Sequence, residues 1–241
     1  MATLLRSAVN LVAPTSELAE IARAAQPTLD GAPAEAVIEW AVERFGNRFC
    51  VTSSMADGVL AHLASRVAPG VDVIFIDTGL HFPQTLRVRD TVAETMPVRV
   101  LSIRPVRTVG QQDGEFGPRL FASSPDACCA MRKVEPLERA LVDYDAWAAG
   151  VRRGETAQRA NVREVDYDVS RGKVKFAPLA RWTDADVAAY IERYDIPVNE
   201  LFSQGYGSIG CWPCTRKVKP GEDPRAGRWA AFDKTECGLN L

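Results

Sequence analysis

Arg48-Phe49-Cys50-Val51-Thr52-Ser53-Ser54-Met55-Ala56-Asp57-Gly58 is the stretch whose reading decides the fold. Arg48 to Thr52 is a short apolar strand, Ser53 to Ala56 a polar loop, and Asp57 to Val67 a helix. Downstream the alternation repeats. Val71 to Ile76 is a buried strand closed by Asp77-Thr78-Gly79, Pro83 to Thr95 a helix, and Val98 to Ile103 a strand. Tyr144 to Ala149 reads as a further strand, and Asp184 to Tyr194 as a late helix opened by Thr183. Short apolar runs separated by helical patterns predict βαβ units, hence an α/β fold with a parallel sheet. Upstream, Ser16 to Ala25 reads as an amphipathic helix and Pro27 to Pro33 as a linker. Ala34 to Phe45 is a helix with Val37, Ile38, Ala41 and Val42 on one face. From Ser203 onward the chain is rich in Gly, Pro and charge, which predicts an irregular segment followed by a mobile tail. Three stretches result, within one structural domain: an N-terminal helical segment 1–45, an α/β core 46–202, and the segment and tail 203–241.

The 241 residues suffice for one α/β domain with a real core. Hydrophobic content of 46% and charged content of 25% are ordinary for a soluble globular chain. A net charge of -2 argues against a general nucleic-acid binder. No run approaches the roughly 20 apolar residues of a membrane span. Met1 to Val12 carries Arg6 and Asn10 and does not look like a signal peptide, so cytoplasmic localisation is expected. In that reducing compartment, clustered cysteines favour metal binding or catalysis over disulfides.

Four of the six cysteines form two pairs, Cys128-Cys129 and Cys211-Trp212-Pro213-Cys214. Cys-x-x-Cys presents two thiolates to one metal site. Adjacent ligands need a helical or kinked backbone, because neighbours on a strand point opposite ways, and Pro125-Asp126 would start such a helix. Zinc and iron–sulfur both suit four thiolates. The adjacent pair fits the usual two-knuckle zinc site poorly and favours iron–sulfur. His62 and His81 lie away from these motifs in sequence, which disfavours mixed ligation. Cys50 reads as a buried core thiol.

Cys237 stands alone on a polar tail. It needs positive surroundings to act as a thiolate at neutral pH, its reference pKa being about 8.5. Lys234 is close in sequence, and Arg216, Lys217, Lys219, Arg225 and Arg228 precede it. The loop Ser53–Gly58, containing Ser53, Ser54 and Asp57, falls where parallel sheets bind ligands. It lacks the Gly-x-x-x-x-Gly-Lys-Ser/Thr phosphate cradle. Ile76–His81, with Thr78, Gly79 and Leu80, follows the next strand. Trp147–Arg153 with Gly150 follows a later one, and Arg159 comes soon after. Each arginine taken singly reads best as a solvated charge; polar or basic motifs at three strand ends together read as an anion or nucleotide site.

With these motifs the chain resembles the assimilatory adenylyl-sulfate (APS) reductases, within the phosphoadenylyl-sulfate (PAPS) reductase family. The resemblance runs from about Phe45 onward. It rests on the loops above, Cys128-Cys129 with Arg132-Lys133, Cys211–Cys214, Arg225–Arg228 and Lys234–Leu239. It implies an adenine nucleotide alpha hydrolase-like fold, a twisted, mainly parallel sheet with helices on both faces. It implies a 4Fe-4S cluster on Cys128, Cys129, Cys211 and Cys214. It also implies that Cys237 attacks the sulfur of APS, giving AMP and an S-sulfocysteine that thioredoxin, or a glutaredoxin-like dithiol donor, reduces to sulfite. Lys133 would bridge cluster and sulfate, Arg225 and Arg228 would hold the phosphosulfate, and Arg159 the nucleotide. Ser53 and Ser54 would take the adenosine side, with the Leu80 backbone and Gly150 near the base, and Asp57, Thr78 and Gly79 on the same loops.

Two departures stand out. Asn240 replaces the histidine of the family's usual Glu-Cys-Gly-Leu-His, and the Ser53–Gly58 loop lacks the paired glycines of ATP-splitting relatives. The competing readings are PAPS as substrate, an iron–sulfur enzyme transferring sulfur to tRNA, and a non-enzymatic zinc module. Relatives that use only PAPS generally lack the cluster cysteines. No nucleic-acid or membrane partner is expected, and a homo-oligomer stays open.

Overall fold

The computed structural model describes residues 16–232, 234 and 236–239. Residues 1–15 and Asn240 lie outside them. The sheet has six strands: β1 (Phe49–Thr52), β2 (Val71–Ile76), β3 (Val98–Ile103), β4 (Ala146–Ala149), β5 (Val165–Asp168) and β6 (Lys173–Phe176). Their order is β3-β2-β1-β4-β6-β5. All neighbours pair in parallel except β5 and β6, which form an antiparallel edge hairpin. The order reverses between β1 and β4, paired in register from Phe49–Ala146 to Thr52–Ala149. At such a switch point the loops leaving adjacent strands diverge and open a crevice at their carboxyl ends.

Alternation along the strands assigns residues to two cores. Val51, Val73, Phe75, Ala146 and Ala148 face one way. They meet α1 (Glu17–Leu29), α2 (Ala34–Phe45), α3 (Val59–Val67), α4 (Pro83–Thr95) and, through Tyr190, a late helix. Cys50, Ile74, Trp147 and Ala149 face the other way, against Leu137 and Leu141. Whereas α5 (Val109–Phe116), α6 (Leu120–Ser123) and α7 (Pro125–Cys129) contribute to a separate small cluster around Leu80, Leu120, Cys128 and Cys211, Leu137 belongs to α8 (Glu135–Ala140). The late helix, α9 (Asp184–Tyr194), starts with a capping box between Thr183 and Asp186. Cys50 is fully buried, as its apolar neighbours require.

Several expectations need correction. The expected linker Pro27–Pro33 is helical as far as Leu29, with Pro27 inside α1. Ser16 caps that helix, and burial of Ala22, Ala25 and Leu29 outweighs the single hydrogen bond Pro27 cannot donate. The third helix begins at Val59: Gly58 is its N-cap residue, and Asp57, one residue earlier, accepts from the Val59 amide and is not part of the helix. The tail keeps the irregular backbone expected of it, and its described residues meet the core through Glu236, the Gly238 carbonyl and Leu239. Among the described residues no helix is long and apolar enough to cross a membrane.

Candidate active site

A cleft of about 310 Å³ lies at the carboxyl ends of the central strands. Behind β1 the chain reverses sharply at Met55, whose φ of 57° is unusual for a bulky residue. The Ser53 hydroxyl accepts from the Met55 amide at 3.1 Å, and Asp57 accepts from the Val59 amide at 3.0 Å. Ser53, Ser54 and Asp57 are thereby turned onto the cleft wall. Burial pushes the Asp57 carboxyl up, against the pull of the Val59 amide and Arg152. Behind β4, Gly150, Val151 and Arg152 form the opposite wall. Arg153 turns away to the Val162 carbonyl at 2.7 Å. Thr78 lines the cleft, but Gly79 and Leu80 are not among its lining residues. The Leu80 amide donates to Thr78 at 3.2 Å and its carbonyl accepts from Trp212 at 2.8 Å, so its backbone groups are already engaged.

The two cysteine pairs converge. Cys128 and Cys129 end α7, just before the π-helical turn Ala130–Val134, which supplies the kink that adjacent ligands need. The Cys128 thiol is pushed up to about 11, by burial first and then by the charges of Cys129, Cys211 and Cys214. Cys214 is likewise raised to about 11, by burial and then by Cys211. Thr78 Oγ1 lies 3.3 Å from Cys211 Sγ, and buried Arg132 donates to the Thr78 carbonyl at 2.5 Å. His81, far from the cysteines in sequence, is bridged through its backbone to Cys211, while its ring contacts the Ile76 carbonyl. Among the described residues no three Cys, His, Asp or Glu side chains are grouped so as to hold a single metal ion.

Cys237 lies in the same cleft. Burial pushes its thiol up, but Lys133, the Leu239 amide and Arg228 outweigh burial and hold it below the ordinary thiol range. Lys234, the cation expected from sequence, pairs with Asp126 instead. Arg228 lies 4.4 Å over the Trp229 ring and donates to the Ile209 carbonyl at 3.2 Å and to Ser208 at 3.3 Å. Lys133 and Lys234 approach the same ring at 5.9 and 5.5 Å. Glu236 closes the cleft from the tail. Arg159 donates to both its oxygens at 2.6 Å, and Arg225 stands 3.6 Å away. The cleft thus joins a serine-lined nucleotide-sized space, a cluster of cations and a low-pKa thiol beside four further thiols.

The profile of the phosphoadenosine phosphosulfate reductase domain matches residues 48–217. The chain belongs to the phosphoadenosine phosphosulfate reductase family. The reductase is 53% identical over 226 residues to the adenosine 5'-phosphosulfate reductase of Streptomyces coelicolor, covering 94% of this chain and 96% of that one. A crystal structure of phosphoadenylyl-sulfate (PAPS) reductase from Candida auris, a phosphate complex, superposes with a TM-score of 0.70. It is 31% identical and covers 86% of this chain and 99% of that one. FMN adenylyltransferase from Candida glabrata shares the fold at a TM-score of 0.57 and 11% identity, over 90% of this chain and 74% of that one.

In the reductase, Ser53, Ser54, Asp57, Thr78, Lys133, Gly150, Arg159, Arg225, Arg228 and Cys237 all reach one cleft. Sequence reading missed Trp229 and Glu236. Nothing local marks Trp229, a buried residue with a φ of 45°. Glu236 carried one signal, an acid beside a cysteine that requires cations.

Proposed function

We propose that the reductase converts adenosine 5'-phosphosulfate to sulfite and AMP, in the assimilation of sulfate for cysteine synthesis, with Cys237 as nucleophile. The observation that carries this reading is that Cys237 shares the switch-point cleft with Lys133 and Arg228, whose charges favour its thiolate. A phosphosulfate and a thiolate repel each other, and buried cations at their meeting point offset that repulsion. The Cys237 thiolate attacks sulfur, an S–S bond forms, and the S–O bond to phosphate breaks with its electron pair leaving on AMP. A dithiol of the thioredoxin or glutaredoxin class then attacks Cys237 Sγ. Sulfite leaves with the electron pair, and the second donor thiol releases Cys237 as the donor is oxidised to a disulfide. This reading places the reaction in the cytoplasm, where such dithiols are kept reduced.

Within it, Arg225 and Arg228 hold the phosphosulfate, and Arg159 stands on the nucleotide side with its guanidinium taken by Glu155 and Glu236. Ser53 and Ser54 take the adenosine side, with Gly150 near the base. Cys128, Cys129, Cys211 and Cys214 would hold a 4Fe-4S cluster. Their mutual charges and the Thr78 hydroxyl beside Cys211 support a shared site, and the adjacent pair Cys128-Cys129 favours a cluster over a two-knuckle zinc site. Bound there, the cluster would supply a fixed local charge, and Lys133 feels the charges of Cys211 and Cys129 from that side.

The test is intact mass of anaerobically purified enzyme after incubation with APS or PAPS and no reductant. An added SO3 group on the C-terminal peptide, formed faster with APS, is expected. No adduct on cluster-bearing enzyme would overturn the reading, and faster reaction with PAPS would reassign the substrate.

A further inference from the structure

Arg171 stands on the turn of the β5–β6 hairpin, at the sheet edge, and the reaction above does not use it. We propose that Arg171 is a positioning residue, whose guanidinium fork holds the tail backbone so that Cys237 faces Lys133 and Arg228. This rests on the reading of Cys237 as nucleophile.

The two arms of the fork do different things. Nη1 donates to Asp168 Oδ2 at 2.9 Å, and Nη2 donates to the Gly238 carbonyl at 3.3 Å, one residue beyond the thiol. The Arg171 and Asp168 side chains are each only 4% exposed. Asp168 is itself fixed: its Oδ1 accepts from the Ser170 hydroxyl at 2.6 Å and from the Arg171 amide at 3.1 Å. The turn closes when the Gly172 amide donates to the Asp168 carbonyl at 2.7 Å. The guanidinium is therefore held by contacts within the hairpin as well as by the tail. Beneath it, 5.6 Å away, lies the ring of Trp147, part of the apolar group on which Leu239 packs.

The tail thus meets the hairpin side twice, through the Gly238 carbonyl and the Leu239 side chain. On the other side of the thiol, Glu236 is gripped by Arg159. Cys237 hangs between two arginine clamps on separate elements, which fixes its direction as one clamp could not. The reversal between them runs through Gly238, at a φ of 83° that a side chain rarely adopts. A buried guanidinium is costly for an edge hairpin, and Asp168 already has a hydroxyl and an amide as donors. The second arm finds its use in the tail.

The test uses full-length, cluster-bearing enzyme and three variants: Arg171→Met, the double variant Asp168→Asn/Arg171→Met, and Arg171→Lys. The double variant removes both buried charges, so no unpaired carboxylate remains to open the hairpin. Single-turnover adduct formation with APS is followed by mass, and amide exchange is read on the tail and hairpin peptides. Both methionine variants should slow adduct formation at saturating APS by about tenfold, the low end for a hydrogen bond from a charged donor. The half-saturating APS concentration should stay unchanged, tail exchange should accelerate, and hairpin exchange in the double variant should match wild type. Arg171→Lys keeps the charge without the fork and should recover only part of the rate. Wild-type rates and tail protection in both methionine variants would overturn the proposal. So would opening of the hairpin in both, which would make Arg171 a fold residue. If wild type forms no adduct on Cys237, the nucleophile reading fails, and tail exchange alone decides whether Arg171 holds the tail.

Discussion

One added methyl group at Gly210 should disable the site without unfolding it. A Cβ there would meet Arg228 Nη2 at 2.3 Å, Cζ at 2.5 Å and Nε at 3.0 Å. Ordinary contact begins near 3.4 Å, so in Gly210→Ala the guanidinium must retreat by about 1 Å. The obstructing atoms end a side chain that can move, so the fold survives, but the retreat lifts the guanidinium from the Trp229 ring and costs folding energy as well as activity. It pulls Nη1 away from the Ile209 carbonyl and Ser208, which it contacts at 3.2 and 3.3 Å. It also moves a cation off Cys237. Losing a hydrogen bond from a charged donor costs about 1.5–3 kcal/mol, or roughly 10- to 100-fold, and a displacement of about 1 Å can by itself cost about 100-fold. The kcat/KM for APS should therefore fall by about 10- to 100-fold, Tm should drop by only about 3–10 °C, and iron content should stay unchanged. Sulfite release with APS and a thioredoxin measures the first, and thermal melting and iron analysis the others. Arg228→Met, assayed in parallel, should be at least as severe. Wild-type activity in Gly210→Ala would refute the placement of Arg228 against the thiol.

Cys129→Ser should lose iron, visible absorbance and turnover together; full iron retention would remove Cys129 from the ligand set. Glu236→Gln removes the carboxylate that Arg159 grips, so turnover should fall about tenfold, and a turnover equal to wild type would show that this buried pair does not hold the tail. Burial pushes the Lys175 ammonium down to about 8, against the pull of Asp168. Below pH 8 it is charged in both the folded and unfolded states, and the folded state carries the whole burial penalty. Between about 8 and 10.4 the unfolded chain binds more protons, so this contribution to stability rises with pH. Lys175→Met should therefore stabilise the fold at pH 7 by about 2 kcal/mol, an advantage that shrinks as pH rises through that window. Denaturant titrations of both proteins at pH 7 and pH 10 check it, and an advantage that grows with pH would contradict the sign.

What the sequence reveals of the fold follows from how much each segment states locally. Val71–Ile76 and Val98–Ile103 are apolar runs between turn residues, and α2, α4 and α9 begin at Ala34, Pro83 and just after Thr183; all keep their expected bounds. The β5–β6 hairpin is legible to no such rule. Val-Asp-Tyr-Asp and Lys-Val-Lys-Phe put charge on alternate positions, as an exposed edge would. Yet Asp168 is buried, because Arg171 and the returning tail cover it. The helices between Val109 and Ala140 are short and broken by Gly117, Pro118 and Pro125, so no period builds up before each one ends.

The site divides the same way. Cysteine chemistry is visible in the letters, and all five functional candidates come together. Which charge serves which thiol is not visible. The charged neighbours of Cys237 in sequence are Glu236, which pushes its thiol up, and Lys234, which is held by Asp126. The cations that lower it, Lys133 and Arg228, belong to the π-helical turn and to the segment packed on Gly210. They reach the thiol only when the tail lies in the cleft. An undocked Cys237 would keep Glu236 and lose both cations, and with them the pull toward the thiolate. The two arginine clamps that place the sulfur therefore also place it beside the charges that favour its thiolate, Lys133 and Arg228.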